Sequence, residues 1–104
     1  MSSSLKLNEL VGFEWDKHNI EHIKKHSVNY IECEDVFFNK PLRINEDESH
    51  SKIEDRWEAL GKTSNNRLLF ISFTIRNNRI RVISARNQNR KERKIYVTGG
   101  EKDE

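Results

Sequence analysis

The sequence predicts an α+β domain, in which two N-terminal helices and a short C-terminal helix pack on one face of a mostly antiparallel β-sheet of about four to five strands. The first third of the chain has helical spacing, since Cys33, Val36 and Phe37 recur at i, i+3 and i+4. Residues 67–85 instead alternate, with many β-branched and aromatic side chains. A length of 104 residues allows one domain, and 34% hydrophobic residues predict a small core.

Cap residues mark where each predicted helix begins. Asp16 has the chemistry of an N-cap, and the first helix is predicted over residues 17–26. Asn29 caps a second helix, with Glu32 three residues later in capping-box spacing. Asn89 begins a third, short and basic helix with the same spacing to an acidic residue. Two helices are therefore expected before the main run of strands, and one after it.

Five segments have strand character, at residues 13–15, 42–44, 56–62, 68–75 and 79–85. The fourth is the strongest, and Leu68 and Phe70 make it apolar on both faces, which predicts a central strand that is covered on both sides over part of its length. Asn77 and Asn78 suit a two-residue hairpin turn to the fifth strand, because Asn tolerates positive φ.

The two ends of the chain differ in composition from its middle. We expect a flexible extension at 1–12, one domain at 13–96 and a flexible tail at 97–104. No apolar run approaches the roughly 18–20 residues that span a bilayer, and no secretory signal pattern stands at the start. Cys33 has no partner for an internal disulfide and lies in an apolar stripe, so a core position is expected. A cytoplasmic protein with no membrane contact is predicted.

Charge is distributed very unevenly along the chain. Residues 67–94 contain nine basic residues and one acidic residue, whereas residues 31–58 contain nine acidic and four basic ones, and the formal net charge of the whole chain is only +2. Such asymmetry favours an anionic partner for the basic half. The alternative is an ordinary solvated surface on which the charges cancel in three dimensions.

Three arginines form the first candidate site. Arg79 and Arg81 leave the same face of a strand, while Ile80 and Val82 point into the core. If Arg56 lies on a neighbouring strand, three guanidinium groups converge, and guanidinium binds phosphate in bidentate fashion at any working pH. The alternative is a solvated face with cross-strand Arg–Glu pairs, which stabilise little.

Three histidines form the second candidate site. His18, His22 and His26 follow one another at i, i+4 spacing, which is a metal-ligand arrangement on a helix and leaves a metal-binding module as one hypothesis. A complete ligand set is absent around them, so no metal or other cofactor is predicted. His18 and His22 are expected to be exposed, with His26 near the helix C-terminus.

Two further residues have a structural and a chemical interpretation each. Glu54 and Arg56 are either a base and a phosphate clamp or a surface ion pair with each other. Tyr96 stacks on a base or donates a proton in one interpretation, and in the other it anchors the last helix to the core.

A set of short motifs then occurs in order and at familiar spacings over residues 12–96. They are Phe13-Glu14-Trp15-Asp16, Lys25-His26, His50-Ser51 with Glu54-x-Arg56-Trp57, Arg81-Val82-Ile83-Ser84-Ala85-Arg86 and Glu92-Arg93-x-x-Tyr96. In this set the chain resembles the BrnT family of toxins from type II toxin–antitoxin modules. The resemblance implies a RelE-like fold and an endoribonuclease that blocks translation. The chain departs from the family pattern at Ser27, where members usually have Gly, and at Asn87, where they often have a basic residue.

The resemblance also implies roles for individual residues in a metal-independent cleavage by the RNA's own 2′-hydroxyl. Catalytic roles are expected for Arg81, which neutralises the phosphate, and for Arg56, Glu54, Arg86, His26 and Tyr96. Glu54 and His26 are alternative candidates for the base. RNA-binding roles are expected for Arg76 and Arg93 from the resemblance, and for Arg79 and Arg90 from their place in the basic segment 67–94.

The family's partners follow from the same resemblance. They are an RNA substrate and an antitoxin of the BrnA type. The antitoxin is a DNA-binding protein, and the toxin would contact operator DNA only in complex with it. A homodimer, or a heterotetramer with the antitoxin, is compatible with this arrangement. The alternative function is a non-catalytic, antitoxin-binding co-repressor subunit that acts in autoregulation of the operon.

Overall fold

The computed structural model describes residues 7–50 and 54–99, so parts of the predicted extension and tail and the Ser51 motif position lie outside the described residues. Within these ranges the protein has three α-helices and one five-stranded sheet, which confirms the predicted α+β class. The strands and helices in chain order are β1 (Gly12–Phe13), α1 (Lys17–Lys24), α2 (Tyr30–Phe38), β2 (Arg43–Glu46), β3 (Trp57–Lys62), β4 (Leu68–Arg76), β5 (Arg79–Asn87) and α3 (Arg90–Thr98). Short 3₁₀ turns occupy Leu7–Glu9 and Glu48–His50.

The sheet has the strand order β1-β5-β4-β3-β2, so the strongest predicted strand lies at its centre. Consecutive strands from β2 to β5 pair antiparallel, while β1 pairs parallel to β5 at one edge. This arrangement confirms the mostly antiparallel sheet. None of the helices in the described part of the chain is long and apolar enough to cross a lipid bilayer.

All three predicted helix starts are confirmed. The side chains of Asp16, Asn29 and Asn89 each accept a hydrogen bond from the backbone N–H three residues later, and a reciprocal bond completes each capping box. The first helix is shorter than predicted and ends at Lys24, because the chain then turns to Ser27, whose φ is +58°. Glycine adopts that left-handed conformation without steric cost, whereas Ser27 adopts it with a side chain.

The core lies between the sheet and the first two helices. One face of β4 contributes Leu69, Ile71 and Phe73, all completely buried. Ile23 of α1 and Cys33 of α2 pack into the same cluster. Cys33 is completely buried, which confirms the expected core position, and this burial raises the pKa of its thiol to about 12.

A β-bulge in β5 determines which of its side chains point to each face of the sheet. Ser72 pairs with Ser84 and Phe73 with Val82, so Ile83 is an extra residue on β5. Because of this residue, Val82 and Ala85, three positions apart, both point into the core. The same shift places Arg86 on the face of the sheet that also carries Arg81.

That second face is covered by α3, so the prediction that all helices lie on one face is wrong. Ile95 of α3 lies beside Leu60 and Phe70 on the outer side of β3 and β4. The Tyr96 hydroxyl donates a hydrogen bond to the Pro41 carbonyl (2.7 Å), and Arg43 Nε donates to the Tyr96 carbonyl (2.7 Å). The expectation that the central strand is covered on both sides is therefore confirmed.

The contact between α2 and β3 predicts a steric conflict at Gly61. A Cβ added there would lie 2.5 Å from Cγ1 of the buried Val36. We expect Gly61→Ala to lower the free energy of unfolding by about 1–3 kcal/mol, because the helix must move away from the strand. Urea unfolding measures this loss. Combining Gly61→Ala with Val36→Ala should recover part of the stability lost in the two single variants, and strictly additive losses would contradict the proposed clash.

Candidate active site

A cleft of about 220 Å³ brings together residues from four parts of the chain. Among the residues that line it are four of the predicted site residues, namely Glu54, Arg56, Arg76 and Arg81. The α1 helix contributes His18, Asn19 and His22, and the bulged part of β5 contributes Val82 and Ile83. The segment before β3, the end of β4 and the middle of β5 therefore meet at the first helix.

Arg81 is a largely enclosed cation of the cleft. Its side chain is 12% exposed, and its Nη1 lies 3.0 Å from Glu14 Oε1 and 2.9 Å from Asp16 Oδ2. The hydrogen bond from Arg81 is the main reason that the pKa of Asp16 lies below its ordinary value. Since Asp16 also caps α1, the start of the helix and the position of the guanidinium are fixed by one carboxylate. The Nε and Nη2 donors lie outside these two ion pairs.

Glu54 and Arg76 form a bidentate ion pair at the other side of the cleft. Arg76 Nη2 lies 2.7 Å from Glu54 Oε1, and Arg76 Nε lies 3.1 Å from Oε2. These hydrogen bonds hold the pKa of Glu54 below its ordinary value, so the group is a carboxylate at neutral pH and a weak base. Glu54 is thus in an ion pair with Arg76, whereas the sequence predicted Arg56 as its possible partner. Its role as a base stays a prediction that this geometry does not favour.

His18 and His22 are the members of the cleft that the sequence did not place there. They stand one helical turn apart, His18 exposed and His22 half-buried, with Asn19 between them. The Asn19 amide donates to the Glu14 carbonyl (3.0 Å) and to the Val82 carbonyl (3.2 Å), which locks α1 onto β5. Their i, i+4 spacing was the available signal, but it suggested a metal site. Among residues 7–50 and 54–99, no group of three His, Cys, Asp or Glu side chains is placed to hold a metal ion.

Arg86 and Tyr96 do not line the cleft. Arg86 makes a bidentate ion pair with Glu92 of α3 (2.7 and 2.9 Å) and stacks on the Phe70 ring, with its guanidinium carbon 4.2 Å from the ring centroid. Tyr96 is 5% exposed, burial raises the pKa of its hydroxyl, and its bond to Pro41 ties α3 to the segment before β2. The anchoring interpretation of Tyr96 is confirmed. Catalytic roles for these two residues stay predictions.

The remaining predicted residues also lie outside the cleft. His26 is exposed in the turn after α1, where its carbonyl accepts a hydrogen bond from Arg67 Nη2 (3.3 Å). Arg79 is exposed at the β4–β5 turn, and Arg90 is exposed at the first position of α3. Arg93 Nη1 donates to the Gln88 carbonyl (2.8 Å). Contacts of these side chains with RNA stay predictions.

The basic half of the chain is partly neutralised in three dimensions. Four of its arginines pair with carboxylates, in the ion pairs Arg67–Glu32, Arg76–Glu54, Arg81–Glu14 with Asp16, and Arg86–Glu92. For these four arginines, the charges therefore cancel in three dimensions, as the alternative to an anionic partner predicted. The cleft nevertheless combines three arginines with one carboxylate among its lining residues.

Comparison of the chain with models of protein families identifies a relative. A family model described as "Ribonuclease toxin, BrnT, of type II toxin-antitoxin system" matches residues 15–92. This range includes every charged residue that lines the cleft. No curated protein matches the chain.

The Arg86–Glu92 pair predicts a pH-dependent contribution to stability. Burial acts to raise the pKa of Glu92, but hydrogen bonds from Arg86 and from the Asn89 N–H outweigh it, and the net pKa is lowered. A lowered folded-state pKa means that this stabilisation is complete above the unfolded pKa, about 4.3, and is lost as the pH falls through the folded value. Glu92→Gln keeps the capping box but removes the charge. We expect the variant to unfold at lower urea concentration at pH 7, with the difference shrinking as the pH falls below about 4.3. An unchanged difference at pH 3 would contradict the ion-pair origin.

Proposed function

Because the chain belongs to the BrnT family of ribonuclease toxins from type II toxin–antitoxin systems, we propose that it is a metal-independent endoribonuclease that inhibits translation and is neutralised by a BrnA-type antitoxin. The observation that carries this proposal is the meeting of Arg56, Arg76 and Arg81 in one cleft. Three guanidinium groups around a small hollow suit a phosphodiester better than any uncharged ligand.

The proposed chemistry uses the 2′-hydroxyl that RNA itself carries. Attack of this oxygen on the adjacent phosphorus gives a pentacoordinate phosphate with additional negative charge. Arg81 is held by Glu14 and Asp16 before substrate arrives, so its remaining donors can meet that charge without reorganisation. Arg56 and Arg76 line the same cleft and can hold the phosphate in line for attack. Preorganised guanidinium charge thus supplies the electrostatic part of the catalysis.

The dimensions of the cleft favour the RNA backbone over the bases. Its volume of about 220 Å³ is below the roughly 300–1,000 Å³ of pockets that enclose whole ligands. A phosphate and the edge of a ribose fit such a space, while the bases stay outside. The proposal therefore places recognition of base sequence on surfaces outside the cleft, for which the exposed Arg79 and Arg90 are candidates.

An apolar surface supports the antitoxin part of the proposal. Two adjoining hollows between the 3₁₀ turn Leu7–Glu9, α2 and β1 share Leu7, Phe37 and Phe38, and Phe38 is 76% exposed. Exposed apolar patches of this kind mark interaction sites. A type II toxin has an antitoxin as its partner, so we assign this surface to an apolar segment of the antitoxin. It shares no lining residue with the cleft.

One observation favours the alternative of a non-catalytic co-repressor subunit. Arg76 and Arg81 are both paired with carboxylates, and such pairs reduce the charge that a phosphate meets. The two functions differ in one cellular result. Inducing the toxin without its antitoxin should fragment RNA and arrest growth, whereas intact RNA under these conditions would favour the co-repressor.

Replacing Arg81 tests the catalytic proposal. Arg81→Ala should lower the rate of RNA cleavage by about 10²–10³-fold, as expected for loss of one donor to a developing oxyanion. Arg81→Lys keeps the charge but loses the planar fork, so an intermediate rate is expected. Thermal unfolding of both variants controls for the ion pairs that are lost with Glu14 and Asp16.

The matched comparison is Arg79→Ala, which lies two residues away on the same strand face but outside the cleft. Its effect should be several-fold at most. A folded Arg81→Ala variant that cleaves RNA and arrests growth like the wild type would remove Arg81 from the mechanism.

The apolar surface gives a separate prediction for the antitoxin. Phe38→Asp should weaken antitoxin binding by about 30-fold, the effect of losing a buried aromatic anchor, while RNA cleavage is retained. Val97→Asp is the matched control, because Val97 is equally exposed (75%) but lies on α3. Binding is measured by titration calorimetry. If both variants bind the antitoxin like the wild type, the antitoxin occupies another surface.

A further inference from the structure

We propose that His18 and His22 are the proton-transfer pair of this ribonuclease, one accepting the proton of the attacking 2′-hydroxyl and the other donating a proton to the departing 5′-oxygen. The inference rests on the proposed endoribonuclease function and names the groups that complete it. It replaces Glu54 and His26 as candidates for the base.

The position of α1 carries the argument. His18 and His22 project from one helix face into the cleft that also contains Arg56, Arg76 and Arg81. Two sets of interactions fix the orientation of this face. Asp16 caps α1, and the buried Asn19 amide donates hydrogen bonds to the Glu14 and Val82 carbonyls. Two imidazoles are thus presented, one turn apart, beside the cations that would bind the phosphate.

The other titratable groups near the phosphate site suit proton transfer less well. Glu54 is committed to a bidentate pair with Arg76, and the resulting low pKa makes its carboxylate a weak base. His26 lies in the turn beyond α1 and does not line the cleft. Imidazole is the side chain that can act as both acid and base near neutral pH, and a catalytic pair needs one neutral and one protonated member.

The proposed reaction balances without water or a cofactor. A neutral imidazole takes the proton from O2′ as the O2′–P bond forms, and the second imidazole, protonated, gives its proton to O5′ as the P–O5′ bond breaks. The products are a 2′,3′-cyclic phosphate and a 5′-hydroxyl. The arginines neutralise the phosphate throughout and transfer no proton.

Several charged groups face the two imidazoles and will shape the pH profile. They are Arg81 from β5, Arg76 from β4, Glu54 and Arg56 from the segment before β3, and Asp16, which caps their own helix and accepts from the backbone N–H of His18. The profile must therefore be compared between variants and not read as the titration of an isolated histidine.

The test uses the full chain, freed from its antitoxin, with two substrates. One is a short RNA, and the other is a ribonucleoside 3′-(4-nitrophenyl phosphate), whose leaving group needs no proton. His18→Asn, His22→Asn and the corresponding Gln variants are compared with the wild type from pH 5 to pH 9. Glu21→Gln, an exposed substitution on the same helix, is the control, and circular dichroism establishes that each variant is folded.

We expect each histidine variant to cleave RNA about 10²–10⁴-fold more slowly and to lose one limb of a bell-shaped pH profile. One of the two should recover nearly wild-type cleavage of the nitrophenyl substrate, which identifies the acid. Folded variants that keep the wild-type rate and profile would overturn the pair, as would equal losses on both substrates at every pH, which indicate binding alone. His26→Asn tests the competing assignment. If only this variant cleaves RNA more slowly, His26 is the base and the pair is overturned. A wild-type protein that cleaves no RNA would overturn the proposed function itself.

Discussion

The pairing of β4 with β5 is the constraint on which the rest of this molecule depends. These two strands form the centre of the sheet, and the extra residue at Ile83 divides β5 into two halves with opposite alternation. Val82 and Ala85 can then both fill the core, while Arg81 and Arg86 both leave by the other face. A strand with strict alternation could not supply both features, so one local irregularity serves packing and charge placement together.

Single residues also have two structural roles at the start of α1. Asp16 satisfies a backbone N–H at the helix start and also binds Arg81, and the Asn19 side chain ties the helix to the backbone of β5. Helix formation, helix docking and the position of the central guanidinium are therefore coupled. A change that only loosens the first turn of α1 would also release the arginine, so stability and activity are expected to vary together in this region.

The arginines of the basic half divide into two groups with different physical roles. Arg67 and Arg86 connect elements, the first binding Glu32 and the carbonyls of the turn after α1, the second joining β5 to α3. Arg76 and Arg81 instead line the cleft while paired with carboxylates. The net charge of a sequence segment therefore overstates the positive charge that a bound polyanion experiences. The cleft is defined by where its arginines lie more than by the net charge of the basic half.

The sequence by itself determined the features that depend on neighbours in the chain. Asp16, Asn29 and Asn89 cap helices through groups three residues away, Asn77 and Asn78 turn the last hairpin, and the apolar character of Leu69, Ile71 and Phe73 predicts the central strand. Strand alternation and charge also made Arg81, Arg56 and Glu54 candidates, and the family resemblance added Arg76.

Only the tertiary structure decided which of these residues meet. A bulge depends on the register between two strands, and the side of the sheet that α3 covers depends on where its apolar residues find space, so neither has a local signature. Long-range packing placed His18 and His22 beside three arginines and left His26, Arg86 and Tyr96 elsewhere. Helical spacing specifies a shared face, but the partner of that face is set by contacts between residues far apart in sequence.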